Sequence, residues 1–206
     1  MLESYLLHPT YFPSIAQMHL IMNYPCVLEV SDNFVKQTLR NRAYIYGANG
    51  KLALVVPVKH SGGRQLFRDV RVENDFPWQR QHWKSLETAY RTSPFFEFFE
   101  DDLLPFFEKK FDFLADANIA AIEGVLSCLQ TDINFSKTTI YEAEPTTATD
   151  MRILSNAKKE LPVTTDEYYQ GFAEKHGFIP NLSVLDLLFH EGANAKNYLS
   201  TSVAFI

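Results

Sequence analysis

The chain has 206 residues, 46% of them hydrophobic and 14% aromatic, and a formal net charge of −6. That is enough apolar material for one sizeable core, no run approaches the roughly 20 apolar residues of a membrane span, and the acidity disfavours a long nucleic-acid backbone as partner. Cys26 and Cys128 form neither a disulfide framework nor a zinc spacing, and the N-terminus carries no basic stretch with a long apolar run, so reduced thiols and a cytoplasmic location are expected.

The opening, Ser4-Tyr-Leu-Leu-His-Pro-Thr-Tyr-Phe-Pro-Ser-Ile, reads as a strand, a proline-bracketed polar loop and a helix start. Pro9 and Pro13 fix φ and remove two backbone N–H groups, which stiffens the loop and lets it present His8, Thr10 and Tyr11 in one arrangement. Loops at the carboxyl end of a strand are common places for ligands. Cys26–Val30 follows as a buried strand, with Ser31-Asp32-Asn33 as turn chemistry. Tyr44–Tyr46 and Leu52–Val58 read as a hairpin across Gly47-Ala-Asn-Gly50, and Gly62-Gly63 separates it from a strand at Val70–Val72.

From Asn74 the period changes. Trp78, His82, Leu86 and Tyr90 lie on one helix face. Ser93-Pro94 starts a phenylalanine-rich helical tract through Leu114, interrupted near Pro105. Asn118 caps a helix with the stripe Ile119, Ile122, Leu126 and Leu129, and Phe135–Tyr141 is one more strand. Three capping boxes, Thr147 with Asp150, Thr164 with Glu167 and Ser183 with Asp186, make the last third mainly helical. The expected fold is α/β or α+β: a strand-rich part over about 1–73 opening with the strand-loop-helix unit, then a mainly helical part over about 74–206. The two form a single domain or two lobes of one.

Charge is spread unevenly. Residues 36–91 hold 11 Lys or Arg against 4 Asp or Glu, while the rest holds 8 bases and 21 acids. A solvated basic face is the ordinary reading, and an anion site for phosphate, nucleotide or carboxylate is the functional one.

Pro9-Thr-Tyr-Phe-Pro13, the Lys36 to Arg42 segment ending in Asn41-Arg42, and Tyr90 with Ser93-Pro-Phe-Phe96 together resemble the WbqC-like protein family. Phe178-Ile-Pro-Asn-Leu-Ser-Val-Leu-Asp-Leu-Leu-Phe189, with Glu191-Gly192, is similar to the form found in its Bacteroidetes-type members. The resemblance runs in order over nearly the whole chain. It implies a part in surface polysaccharide or O-antigen synthesis, with glycyl, aminoacyl or acyl transfer to a sugar or nucleotide-sugar. Family members often carry Gln before the first proline and a Gly-aromatic pair after the second. This chain has His8 and Ala16-Gln17 there, so no role transfers at those positions.

Arg42 beside Asn41, with Lys36 close in sequence, offers a guanidinium fork and an amide for an anion; a structural ion pair is the alternative. His8 and His19 are the candidate acid–base groups, because imidazole passes protons near neutrality. Thr10, Tyr11 and His82 complete the candidate substrate-binding set, although His82 shares its face with Trp78 and Leu86, as a core histidine would. Lys59-His-Ser-Gly-Gly-Arg64 is either an anion loop or a plain one. No nucleophile elbow, P-loop, Rossmann glycine fingerprint or HExxH is present, and the histidines lack metal-ligand spacing, so no metal or cofactor is expected. Thr10-Tyr-Phe-Pro13 with His19 is loosely similar to the HxGH nucleotidylyltransferases, one position off and without the glycine. The sum is a transferase acting on an anionic small molecule, such as a nucleotide-sugar, by positioning more than by a covalent nucleophile. A non-catalytic binding or scaffold protein of the same pathway is the other class, and a homo-oligomer is compatible with either.

Overall fold

The structure, a computed structural model, describes residues 4–159, 161 and 163–205. Tyr5–Leu7 forms β1, whose Leu6 and Leu7 are buried, as a strand inside a parallel sheet requires. Ser14 then caps α1 (Ile15–Asn23), its hydroxyl accepting the Gln17 N–H at 3.4 Å. Every residue from Ile15 to Ile21 is buried, so α1 is a central helix with no solvent face. The chain returns as β2 (Cys26–Leu28), parallel to β1 in the register Tyr5 to Cys26 and Leu7 to Leu28.

β3 (Arg42–Gly47) and β4 (Gly50–Val55) make the expected hairpin, with Gly47 opposite Gly50. Gly50 has φ 93°, the left-handed conformation that glycine supplies after such a turn. α2 (Trp78–Tyr90) buries Trp78, His82, Leu86 and Tyr90, the face its period predicts. α3 (Phe96–Glu108) buries Phe96, Phe99, Leu103 and Phe107, so its aromatics are core. It runs through Pro105 without interruption, because Pro105 and Asp101 are both exposed and water can reach the carbonyl that loses its donor. Then come α4 (Leu114–Cys128), β5 (Ser136–Lys137), β6 (Thr149–Asp150), β7 (Val163–Thr165), α5 (Ala173–His176), α6 (Val184–Glu191), α7 (Ala195–Thr201) and β8 (Val203–Phe205).

The parallel sheet has the order β5-β2-β1-β6, and β7 pairs antiparallel with β8. A hydrophobic cluster runs from Leu7 to Val203 and takes in α1, both hairpin strands, α2, α3, α4 and α6. No helix among the described residues is long and apolar enough to cross a membrane. Cys26 and Cys128 are free and buried, and burial pushes both thiols up to about 12.

Several local expectations yield to tertiary pairing. The strand expected at Phe135–Tyr141 contracts to Ser136–Lys137, and Val70–Val72 makes only isolated bridges, Val72 to Val58 and Arg71 to Phe113. The boxes at Thr147 and Thr164 are not caps, since their segments enter β6 and β7. A sheet partner outweighs a local side-chain bond there. Ser183 does cap, accepting the Leu185 N–H at 3.3 Å. Ser93 closes α2 by donating to the Tyr90 carbonyl at 2.7 Å. Asn118 sits inside α4, fully buried, for a reason given below.

Gly192, after α6, has φ 58°, and a Cβ there would stand 2.7–2.8 Å from the Phe95 ring. Gly192→Ala is therefore expected to cost about 1–3 kcal/mol, read as a lower urea midpoint with unchanged slope.

Candidate functional site

The four parallel strands end on one side of the sheet. From β1 the chain moves outward through β2 to β5, then returns to the other side of β1 as β6. The strand order thus reverses between β1 and β6, where an open parallel sheet leaves a crevice at its carboxyl edge. The residues leaving the strands here are His8 after β1, Glu29 to Asp32 after β2, Thr138 after β5, and Arg152 to Ser155 after β6.

His8 lies at the centre, 6% exposed. Its Nε2 is 2.9 Å from Asp32 Oδ2 and its Nδ1 is 3.1 Å from Ser155 Oγ. The carboxylate can only accept, which assigns the proton to Nε2 and leaves the Nδ1 lone pair facing the serine hydroxyl. Burial lowers the His8 pKa below 6.5, the bond to Asp32 opposes that, and the Arg40 charge adds to it. Burial alone would raise the Asp32 carboxyl, but the bond to His8, the Arg40 charge and the Asn33 N–H outweigh it and hold it below its ordinary value. Arg40, 2% exposed, has Nη1 3.7 Å from Asp32 and 3.0 Å from the Asn33 carbonyl, with its guanidinium over the Phe34 and Phe67 rings. His8 is therefore a neutral base held on an ionised carboxylate.

The surroundings fix this arrangement from both sides. Gln17, buried in α1, accepts from the Thr10 hydroxyl and donates to the His8 carbonyl. The Asn118 amide donates to the Pro9 carbonyl at 2.9 Å and to the Arg40 carbonyl at 2.7 Å, tying the histidine loop to the arginine. Phe12, fully buried, takes φ 40°, a conformation that only such constraint sustains in a bulky residue.

The same edge carries a buried carboxyl group just after β2. Glu29 is 0% exposed; Oε1 accepts from Ser31 N–H at 2.7 Å and from the Thr138 hydroxyl at 2.8 Å, whereas Oε2 has no hydrogen-bond donor and stands 3.7 Å from Arg152 Nη1. Arg152 also holds Asp150 at 2.6 and 2.9 Å and the carbonyls of Glu142 and Ala143 at 2.9 and 3.0 Å. Glu29 lines a cavity of about 300 Å³ walled by Thr138, Thr139 and Thr147.

The structure disperses the other candidates. His19 binds the Leu199 carbonyl and holds α1 against α7, outside the His8 bonding network. Thr10 and Tyr11 are fully buried, and the Tyr11 hydroxyl meets His82 Nδ1 at 2.9 Å. Lys36 is exposed. Asn41 donates to the Val56 carbonyl at 3.3 Å while its Oδ1 is unbonded. Arg42 is half-buried with Nε unbonded, in a crevice shared with Tyr11, Tyr44 and Asn181. That crevice has Leu39, Tyr44 and Asn181 in common with a cavity of about 380 Å³, whose wall also carries Lys51, Lys159 and Asn156 and no acid among the described residues. The remaining bases of segment 36–91 do not gather there: Arg91 pairs with Glu87 and Glu100, and Arg71 lies over Phe113.

His82 has a consequence for stability. Burial lowers its pKa to about 4. A histidine whose folded pKa lies below its unfolded 6.5 contributes stability above 6.5 that is lost as pH falls toward 4. About 3 kcal/mol should vanish over that window, and His82→Gln should flatten the loss in urea titrations at pH 7 and pH 4.5.

An open parallel sheet with titratable and ionic groups at its carboxyl edge defines an α/β protein with a candidate site at a strand-order reversal. Within that class the chain belongs to the WbqC-like protein family, whose profile matches residues 8–171. It is 26% identical over 193 residues to Uncharacterized protein Rv1507c of Mycobacterium tuberculosis, covering 81% of this chain and 83% of that protein. No solved structure matches the chain.

Proposed function

We propose that the protein is a transferase of surface-polysaccharide or O-antigen synthesis, acting in the cytoplasm, which moves a small acyl or aminoacyl group onto a nucleotide-sugar. In this reading the anionic substrate lies in the cavity walled by Lys51, Lys159 and Asn156, with Arg42 at its edge. His8, oriented by Asp32, takes up and returns the proton of the attacking group. The observation that carries the reading is His8 held between Asp32 and Ser155 at the reversal of strand order. The family's link to polysaccharide synthesis supplies the substrate class. The test is thermal denaturation with UDP, CMP, UDP- and CMP-sugars. A ligand at 100 times its Kd adds about 2.7 kcal/mol to a native state that alone binds it. Stabilisation that Lys51→Glu removes is the expected result; no shift with any of them, or a shift unchanged by Lys51→Glu, overturns the reading.

The strand order β5-β2-β1-β6, with the loop from β1 to α1 at its centre, favours a second reading, a nucleotidyl-binding protein. Stabilisation by ATP or CTP with no preference for sugar nucleotides would select it.

A further inference from the structure

We propose that Ser155 is a nucleophile, activated by His8 and Asp32, which carries the acyl group as a covalent ester between donor and acceptor. The proposal rests on the transferase reading for its acyl chemistry and adds the intermediate.

Ser155, His8 and Asp32 follow three different strands, β6, β1 and β2, and are separated by 147 and 24 positions along the chain. Local folding does not require them to meet. They nevertheless form an unbroken line, hydroxyl to imidazole at 3.1 Å and imidazole to carboxylate at 2.9 Å, the relation by which a serine, its base and the base's orienting group are recognised. Here the carboxylate holds Nε2 and the serine faces Nδ1. Either nitrogen can serve, because protonating one leaves the N–H of the other in place. The Ser155 hydroxyl can also donate to the Arg152 carbonyl at 2.9 Å, which gives its proton a resting acceptor until rotation turns it to His8. Ser155 is 6% exposed, so its oxygen is screened from bulk water, and the next residue, Asn156, lines the basic cavity. Arg40 beside Asp32 keeps the carboxylate charged.

With an acyl thioester as donor, Ser155 Oγ bonds to the carbonyl carbon and its proton passes to His8 Nδ1. The C–S bond breaks, and the thiolate leaves with the electron pair and takes the proton from His8. The acceptor's amine or hydroxyl then attacks the ester and gives a proton to His8. The C–Oγ bond breaks, and Ser155 recovers that proton. No oxidant or reductant is needed.

A fluorophosphonate probe tests the serine directly, since reaction forms an Oγ–P bond and releases fluoride, with the serine proton taken up by His8. Intact mass and peptide mapping of the full chain should find one adduct, on Ser155. The adduct should be absent in Ser155→Ala and form about 100-fold or more slowly in His8→Gln and Asp32→Asn. Mapping on the unmodified protein decides the matter even where a variant fails to fold, and Ser155→Cys, alkylated by iodoacetamide at a rate that falls when His8 is also replaced, supplies a second reading. No adduct on the wild-type chain, an adduct elsewhere that survives Ser155→Ala, or labelling indifferent to His8 overturns the proposal. A labelled Ser155 in a protein that no nucleotide-sugar stabilises supports the nucleophile and removes the sugar reading; sugar binding with Ser155 unlabelled overturns the nucleophile alone.

Discussion

His8→Gln should lower the transfer rate by about 10²–10⁴-fold while the protein remains folded. Glutamine is close to histidine in reach and carries both a donor and an acceptor. Its amide can bond to Asp32 or to Ser155, yet it cannot take a proton at neutral pH. Asp32→Asn should lower the rate as well, because the Nε2 proton then loses the carboxylate that holds it and the lone pair is no longer fixed at Nδ1. The pH profile separates a proton-transfer role from a structural one. His8 titrates below 6.5 because of its burial, and a base must be neutral to act. The wild-type rate should therefore hold through neutrality and fall only as pH drops below 6.5, and this acid limb should vanish from the residual rate of His8→Gln. An unchanged limb in that variant would assign it to another group.

Asp186→Ala should cost about 3–5 kcal/mol, enough to unfold a marginal protein. The carboxylate is 0% exposed and receives the hydroxyls of Tyr90 and Tyr168, each at 2.6 Å, and the Gln170 amide at 3.1 Å. Tyr90 in turn accepts from the Tyr46 N–H at 3.0 Å, so one side chain joins α2, α6, β3 and the segment before α5. Alanine would leave the two buried tyrosine hydroxyls without that acceptor, while the Gln170 amide keeps the Ile179 carbonyl at 3.0 Å. Asp186→Asn retains one oxygen and should cost less. Burial raises the Asp186 pKa despite these bonds and the neighbouring His190 charge. A carboxyl whose folded pKa exceeds its unfolded value contributes most at low pH and loses that contribution as pH rises through the folded value. The urea midpoint difference between wild type and Asp186→Asn should accordingly shift toward the variant as pH rises from 4 to 7.

The strand-loop-helix opening was legible because two prolines and a periodic apolar run act over a few residues. The same holds for the hairpin at Gly47–Gly50 and for the buried face of α2. β6 was not legible, and β5 only as a longer strand over Phe135–Tyr141, since two residues carry no period and these strands exist only through pairing with β1 and β2. Of the site, His8 could be picked out by its place after the first strand. Asp32 reads as turn chemistry, Arg40 as one base among eleven, and Ser155 and Arg152 bear no signal, because β6 delivers them from about 150 residues away. Asn118 reads as the cap of a helix that in fact begins four residues earlier, at Leu114. Its partners, two carbonyls from distant loops, were not legible.

The shortness of β6 also sets how firmly the serine arm is attached. Thr149 and Met151 donate to the carbonyls of Ser4 and Leu6 at 2.8 and 3.0 Å, and Thr149–Asp150 is all the strand there is. Opening so brief a pairing takes far less free energy than unfolding the core behind it. The amides of Thr149 and Met151 should then exchange with deuterium orders of magnitude faster than those of α1, under conditions where the core stays closed. Whatever acts between Ser155 and His8 is thus assembled across a strand of two residues, and the exchange of those two amides reads how often that contact opens.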